Sequence, residues 1–143
     1  AGWGALTRDP LLGWSYPAWS KLWRLAGADH MHVNGFDNKF TESNESVAAS
    51  VASLKDPLFG NSPMCAVPVF SSGQTVRQAA ATLNAAGSPD VLVTAGGGII
   101  AHPDGVTEGV KAMRQAYDAA MQGVDVDVYA KEYHELTAAL AAF

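Results

Sequence analysis

Two rhythms of apolar positions alternate along this chain. Short β-rich runs at 29–33, 65–70 and 91–95 read as strands, and helical spacing follows each of them. Ser15-Tyr16-Pro17 can open an earlier helix, with Ser15 as its cap and Pro17 in its first turn. Trp19, Leu22, Trp23 and Ala26 then fall on one predicted face, and Gly27 ends the element. Ser43 caps the next helix, whose Val47, Val51 and Leu54 predict one buried stripe. Thr75 and Gln78 have capping-box spacing ahead of Val76, Ala79, Ala80 and Leu83. A long helix is predicted from about 106 to 122, with Val110, Met113, Tyr117 and Met121 in phase and Gly123 as its stop. Residues 128–143 predict a final alanine-rich helix. The Gly- and Trp-rich start, 1–14, reads as an irregular loop, as does 55–64 with Pro57, Gly60 and Pro63.

Strand and helix in alternation imply parallel strands with right-handed crossovers. The third strand is nearly all apolar, as a parallel strand covered on both faces would be. Three strands cannot close a barrel, so the periodicity fits a small open sheet or a piece of a barrel equally well.

Composition narrows the function classes. The chain has 143 residues, 48% of them hydrophobic and 16% charged, which is enough for one globular core. A net charge of -5 argues against a nucleic-acid partner. No apolar run is long enough to span a bilayer, so a membrane partner is not expected. The single Cys65 excludes an internal disulfide and fits a reducing, cytoplasmic setting; its simplest role is as a small apolar residue entering a strand. The chain starts at Ala1 and not at Met, which suggests a fragment or a processed chain.

The chemistry-bearing residues collect after the strands. Gly96-Gly97-Gly98 follows the third, and its backbone amides can approach an anion closely, although tight turns without ligands are the commoner use of such a triplet. Ser71, Ser72 and Gly73 follow the second and offer donors for phosphate or hydroxyl groups; local serine bonds at a helix start would explain them as well. His30 and His32 share one side of the first strand. His30 is assigned a structural role, whereas His32, nearer the strand's C-terminal end, is the ligand-contact candidate. Lys39 lies beyond Gly35 and reads either as a solvated lysine or as the charge on a glycine-hinged lid. Glu42 and Glu45 suit the start of the following helix. His102-Pro103 shapes the glycine turn, and His134 belongs to the surface of the last helix. There is no zinc spacing and no serine-hydrolase relay.

Taken together, Gly27-Ala28-Asp29-His30-Met31-His32, Lys39, Pro68-Val69-Phe70-Ser71-Ser72-Gly73 and Gly96-Gly97-Gly98 with His102-Pro103 and Gly105 resemble the large chain of ribulose-bisphosphate carboxylase (RuBisCO). They are closer to its RuBisCO-like proteins: Ser72 stands where the carboxylases have a glycine, and the stretches around Asn34 and Lys39 follow the RuBisCO-like branch. The resemblance implies an α/β fold, part of a TIM (β/α)8 barrel, with residues 1–143 as its C-terminal portion: the last three strand–helix units and a C-terminal helix. It implies that Lys39 is catalytic, that His32, Ser71 and Ser72 contact substrate, and that Gly73, Gly96 and Gly97 hold a phosphate. It implies Mg²⁺ as cofactor, with ligands upstream of this chain. It further implies a phosphorylated small-molecule substrate, a homodimer or higher homo-oligomer, and enolisation leading to isomerase, tautomerase or decarboxylase outcomes. A true carboxylase and an inactive fragment or phosphate-binding module are the alternatives.

Overall fold

The computed structural model describes residues 9, 11–40, 42–60 and 64–143. Most of the predicted opening loop lies outside them. Helix α1 (Tyr16–Leu25) leads to strand β1 (His30–Asn34), and α2 (Asn44–Lys55) follows. Strand β2 (Val67–Phe70) passes through a 3₁₀ turn (Val76–Gln78) into α3 (Ala79–Ala86), then β3 (Leu92–Val93). After these come the short α4 (Gly96–Ile100), the long α5 (Val106–Gln122), α6 (Val126–Tyr129), a 3₁₀ turn (Ala130–Glu132) and α7 (His134–Ala142).

The three strands form one parallel sheet in the order β1-β2-β3. His32 lies opposite Val69, and Asn34 opposite Phe70, with an irregularity between His32 and Asn34. Met31 and Val33 turn into the core while His30 and His32 face outward, the alternation a pleated strand imposes. Parallel pairing places all three strand C-termini on one edge, which is what positions the site.

Two apolar clusters hold the helices to the sheet. The first joins Val33 and Phe70 to Val47, Val51 and Leu54 of α2, all fully buried. The second joins Val76, Ala79 and Ala95 to Ala112 and Ala116 of α5 and to Leu136 and Leu140 of α7. Each fully buried Val or Leu contributes about 1.5–3 kcal/mol. The caps behave as predicted. Ser15 and Ser43 accept from the amides of Ala18 and Ser46, and Thr75 and Gln78 form a reciprocal capping box. Gly87 and Gly123 end their helices in the left-handed conformation.

Several expectations are corrected. The buried face of α1 is Tyr16, Ser20 and Arg24, while Leu22 and Trp23 are half exposed. Arg24 is drawn inward because its guanidinium donates to the backbone oxygens of Met64, Ser53 and Asp56, closing off the end of α2. His30 is exposed and not a buried structural residue. The third strand shrinks to two residues, and Leu92 is 47% exposed at the sheet's edge, where no strand among the described residues lies beyond it. On α5 the buried stripe is Gly109, Ala112, Met113, Ala116 and Ala119, and Val110 and Met121 face outward. Small residues win there because α5 packs closely: a Cβ on Gly109 would come within 2.3 Å of the Ile99 oxygen. Ala80 is likewise exposed. The last predicted helix is two helices and a 3₁₀ turn, broken at Tyr133. The glycine triplet forms the first turn of α4.

Candidate active site

The site is built on the C-terminal edge of the sheet. His32 sits within β1, Ser71 directly follows β2, and Gly96 opens α4 three residues beyond the third strand's end. His32 Nδ1 and Ser71 Oγ are 3.3 Å apart, and Ser71 Oγ is 3.3 Å from Ser72 Oγ. The Ser72 hydroxyl donates to Asn34 Oδ1 at 2.8 Å. Asn34 Nδ2 in turn donates to Glu42 Oε2, and the Ser46 hydroxyl to Glu42 Oε1 at 2.8 Å. Beneath His32, the buried Tyr16 hydroxyl donates to the His32 carbonyl at 2.8 Å. Burial, and after it the Glu42 charge, push the Tyr16 phenol well above its ordinary range, so it stays protonated as that donor.

Lys39 comes to the same place by its backbone: its amide donates to the Ser72 carbonyl at 3.1 Å. Its ammonium lies 5.2 Å from the centre of the Phe40 ring. The loop carrying it is cross-braced. Asn38 Nδ2 donates to the Gly35 and Glu42 carbonyls, each at 2.9 Å, and Asn44 pairs with Asp37. Gly35 is closely packed in this structure. It is buried, and a Cβ there would overlap the Gln74 side chain at 2.1 Å. Gly73 takes a φ of +94°, which favours glycine, and it borders Lys39, whose Cβ an added side chain would meet at 3.7 Å.

Gly96 and Gly97 are exposed, and nothing lies within 4 Å of where their Cβ atoms would be. As the first residues of α4 they carry amides without intrahelical acceptors. Gly98 is used differently: its Cβ would meet the Gln74 carbonyl at 2.5 Å. His102 is buried, taking the Asp104 amide on Nδ1 at 3.1 Å and giving Nε2–H to the Glu135 carbonyl at 2.9 Å, so it shapes the turn and holds α7. His134 is exposed at the start of α7, 3.1 Å from Asp104.

The structure thus brings together His32, Ser71, Ser72, Lys39 and Gly73 in direct or one-residue contact. It places Gly96 and Gly97 on the same edge without a direct bond to them. Gln74, Asn34 and Tyr16 were not singled out from the sequence. Gln74 is fully buried; its amide donates to the Phe36 carbonyl at 3.1 Å, and its body separates Gly35 from Gly98. The one available signal was a glutamine placed directly after Ser-Ser-Gly and ahead of a helix cap.

A model of the ribulose bisphosphate carboxylase large chain, catalytic domain, matches residues 1–143. The chain belongs to that family. Within it, the chain falls among the RuBisCO-like proteins. It is 55% identical over 140 residues to the 3-oxo-isoapionate-4-phosphate transcarboxylase/hydrolase of Xanthobacter autotrophicus, covering 98% of this chain and 34% of that relative. It is 41% identical over 143 residues to the 3-oxo-isoapionate-4-phosphate decarboxylase of Rhizobium etli, covering 99% and 34%. The crystal structure of a RuBisCO-like protein from Burkholderia fungorum superposes with a TM-score of 0.95 at 45% identity, over 99% of this chain and 35% of that one. The chain therefore spans about a third of the length of these RuBisCO-like relatives, and its parallel sheet with helices is part of their fold. Among the described residues no three His, Cys, Asp or Glu side chains are grouped as a metal site, and no helix is long and apolar enough to cross a membrane.

Proposed function

We propose that this chain is the C-terminal part of a RuBisCO-like enzyme's barrel and forms one arc of a substrate-binding rim. The substrate class is a phosphorylated keto acid or ketose that is enolised, with decarboxylation or carboxyl transfer as the outcome the named relatives favour. The observation that carries this reading is the joining of Lys39, Ser72, Ser71 and His32 at one strand edge through contacts of 3.1–3.3 Å.

Each residue has a task suited to its chemistry. The Lys39 ammonium stabilises negative charge that develops on the substrate. Ser71 and His32 orient its polar end. The Gly73, Gly96 and Gly97 amides receive its phosphate, where backbone approach is open. Mg²⁺ remains the proposed cofactor of the intact protein. The described residues do not fit it, so nothing assigned to this chain passes through a metal. The intact protein is proposed to be a cytoplasmic homodimer or larger homo-oligomer.

The test is turnover of 3-oxo-isoapionate 4-phosphate by the intact protein. Lys39→Ala should lower kcat by about two or more orders of magnitude while leaving the fold unchanged, since a charge-stabilising lysine acts on the transition state. Unchanged turnover removes Lys39 from the chemistry. Incorporation of carbon dioxide into ribulose bisphosphate would replace this reading with that of a true carboxylase.

A further inference from the structure

The polar groups behind His32 form a chain in which one order of hydrogen atoms makes every contact a bond. A carboxylate accepts and cannot donate, so Glu42 fixes the Asn34 amide with Nδ2 towards it and Oδ1 away. Oδ1 can only accept, so the Ser72 hydroxyl spends its one proton on it, at 2.8 Å. Ser72 Oγ is left with lone pairs towards Ser71, 3.3 Å away, and the Ser71 proton fills that contact. Ser71 Oγ then faces His32 Nδ1 at 3.3 Å with lone pairs alone, and the contact is a bond only if Nδ1 carries the hydrogen. Reversing Ser71 would set its lone pairs against those of Ser72 and lose one bond of the series. Bonds running in one direction also polarise one another.

The backbone supports the same assignment. Asn34 and Ser72 sit at φ of +60° and +71°, a region that costs a residue with a Cβ and would cost glycine nothing. Asp37 and Met64 also take positive φ, so Asn34 and Ser72 are two of four such described non-glycine residues, and they are bonded to each other through their side chains.

We infer that Glu42, Asn34 and Ser72 are positioning residues that hold neutral His32 as its Nδ1–H tautomer through Ser71, leaving Nε2 as a hydrogen-bond acceptor on the open side of the rim. In that form His32 selects a substrate hydroxyl, which can donate, and does not greet a phosphate oxygen, which cannot. The substrate class thereby gains a feature: a free hydroxyl at the end held by His32, with the phosphate at the glycine end. The hydroxyl's identity rests on the reading of the rim given above; the place of the proton does not.

The experiment is side-chain ¹⁵N NMR on the intact protein labelled at histidine, without substrate, with His32 assigned by the signal lost in His32→Gln. Neutral His32 is expected to carry its proton on Nδ1, the reverse of the tautomer that free imidazole side chains favour. Ser72→Gly suits φ +71° and should fold; it is expected to shift the Nδ1–H to Nε2–H ratio towards Nε2–H by roughly tenfold. Asn34→Gly, equally suited to its backbone, should do the same. A proton on Nε2 in the wild type, or a ratio unmoved by either variant, overturns the assignment. The Nδ1–H signal together with no turnover of 3-oxo-isoapionate 4-phosphate would keep the relay and discard the proposed reaction.

Discussion

Helices α1 and α2 pack side by side and use their apolar residues in opposite ways. On α2, Val47, Val51 and Leu54 are buried completely, as their spacing predicts. On α1, Leu22, Trp23 and Leu25 are about half exposed, and Ser20 and Arg24 are buried in their place. Both helices have a good N-cap and plausible periodicity. The difference is position: α2 lies against two strands and two helices, whereas α1 flanks the arrangement and touches it along one narrow strip. A helix stripe names the face that meets apolar partners only when those partners belong to the same chain segment. Val110 and Met121 on α5 repeat the α1 pattern, beside an apolar groove of about 430 Å³ that also takes in Leu83, Val91 and Tyr117.

The largest effect should come from the residue that breaks the pattern. Arg24→Ala removes donors to three backbone oxygens, two of them at the end of α2, and is expected to cost about 3–5 kcal/mol in denaturant unfolding. A loss under 1 kcal/mol would mean that water replaces it and that α1 is not tied to α2 in this way. Leu54→Ala should cost about 2–5 kcal/mol, against no more than about 0.5 for Leu22→Ala. Equal losses would erase the contrast between the two helices.

A second pair sharpens the contrast at the site. Gly35→Ala must displace the buried Gln74 side chain and should cost about 1–3 kcal/mol, whereas Gly97→Ala meets nothing and should change stability by no more than about 0.5 kcal/mol. The smallest effect is electrostatic. Glu45 is held below the ordinary carboxylate range by its own backbone amide and by the Ser43 hydroxyl at the start of α2. A lowered folded pKa gives stability that is present above the unfolded value, near 4.5, and lost as pH falls through the folded one. Glu45→Gln should therefore lose that small contribution at neutral pH, flatten the acid limb of the stability curve, and converge with the wild type once pH falls below the folded value.

What the sequence made legible follows from how local each cause is. Caps, glycine stops and the long helix at 106–122 depend on neighbours within four residues, and they appear where predicted. The parallel order and the shared edge of His32, Ser71 and Gly96 followed from alternation, and the family resemblance from motif order. The inward turn of Arg24 depends on carbonyls 29 to 40 residues away, and no pattern along α1 announces it. The two-residue β3 is the edge of the sheet among the described residues, a place that its own apolar run does not reveal. At the site, hydroxyls and imidazole could be nominated by type. The Asn34–Ser72 bond spans 38 residues and needs two backbone angles that sequence does not specify for either residue. Gly35 shows the same limit in reverse: glycine after a strand suggested freedom, and its purpose is contact.

On the proposed role of Lys39, the bond from its amide to the Ser72 carbonyl changes what capture of a substrate would immobilise. With the backbone already anchored, the ammonium explores only the sphere its four methylenes allow. The disorder surrendered on engagement is then that of one side chain, about 2 kcal/mol, and not that of a whole loop.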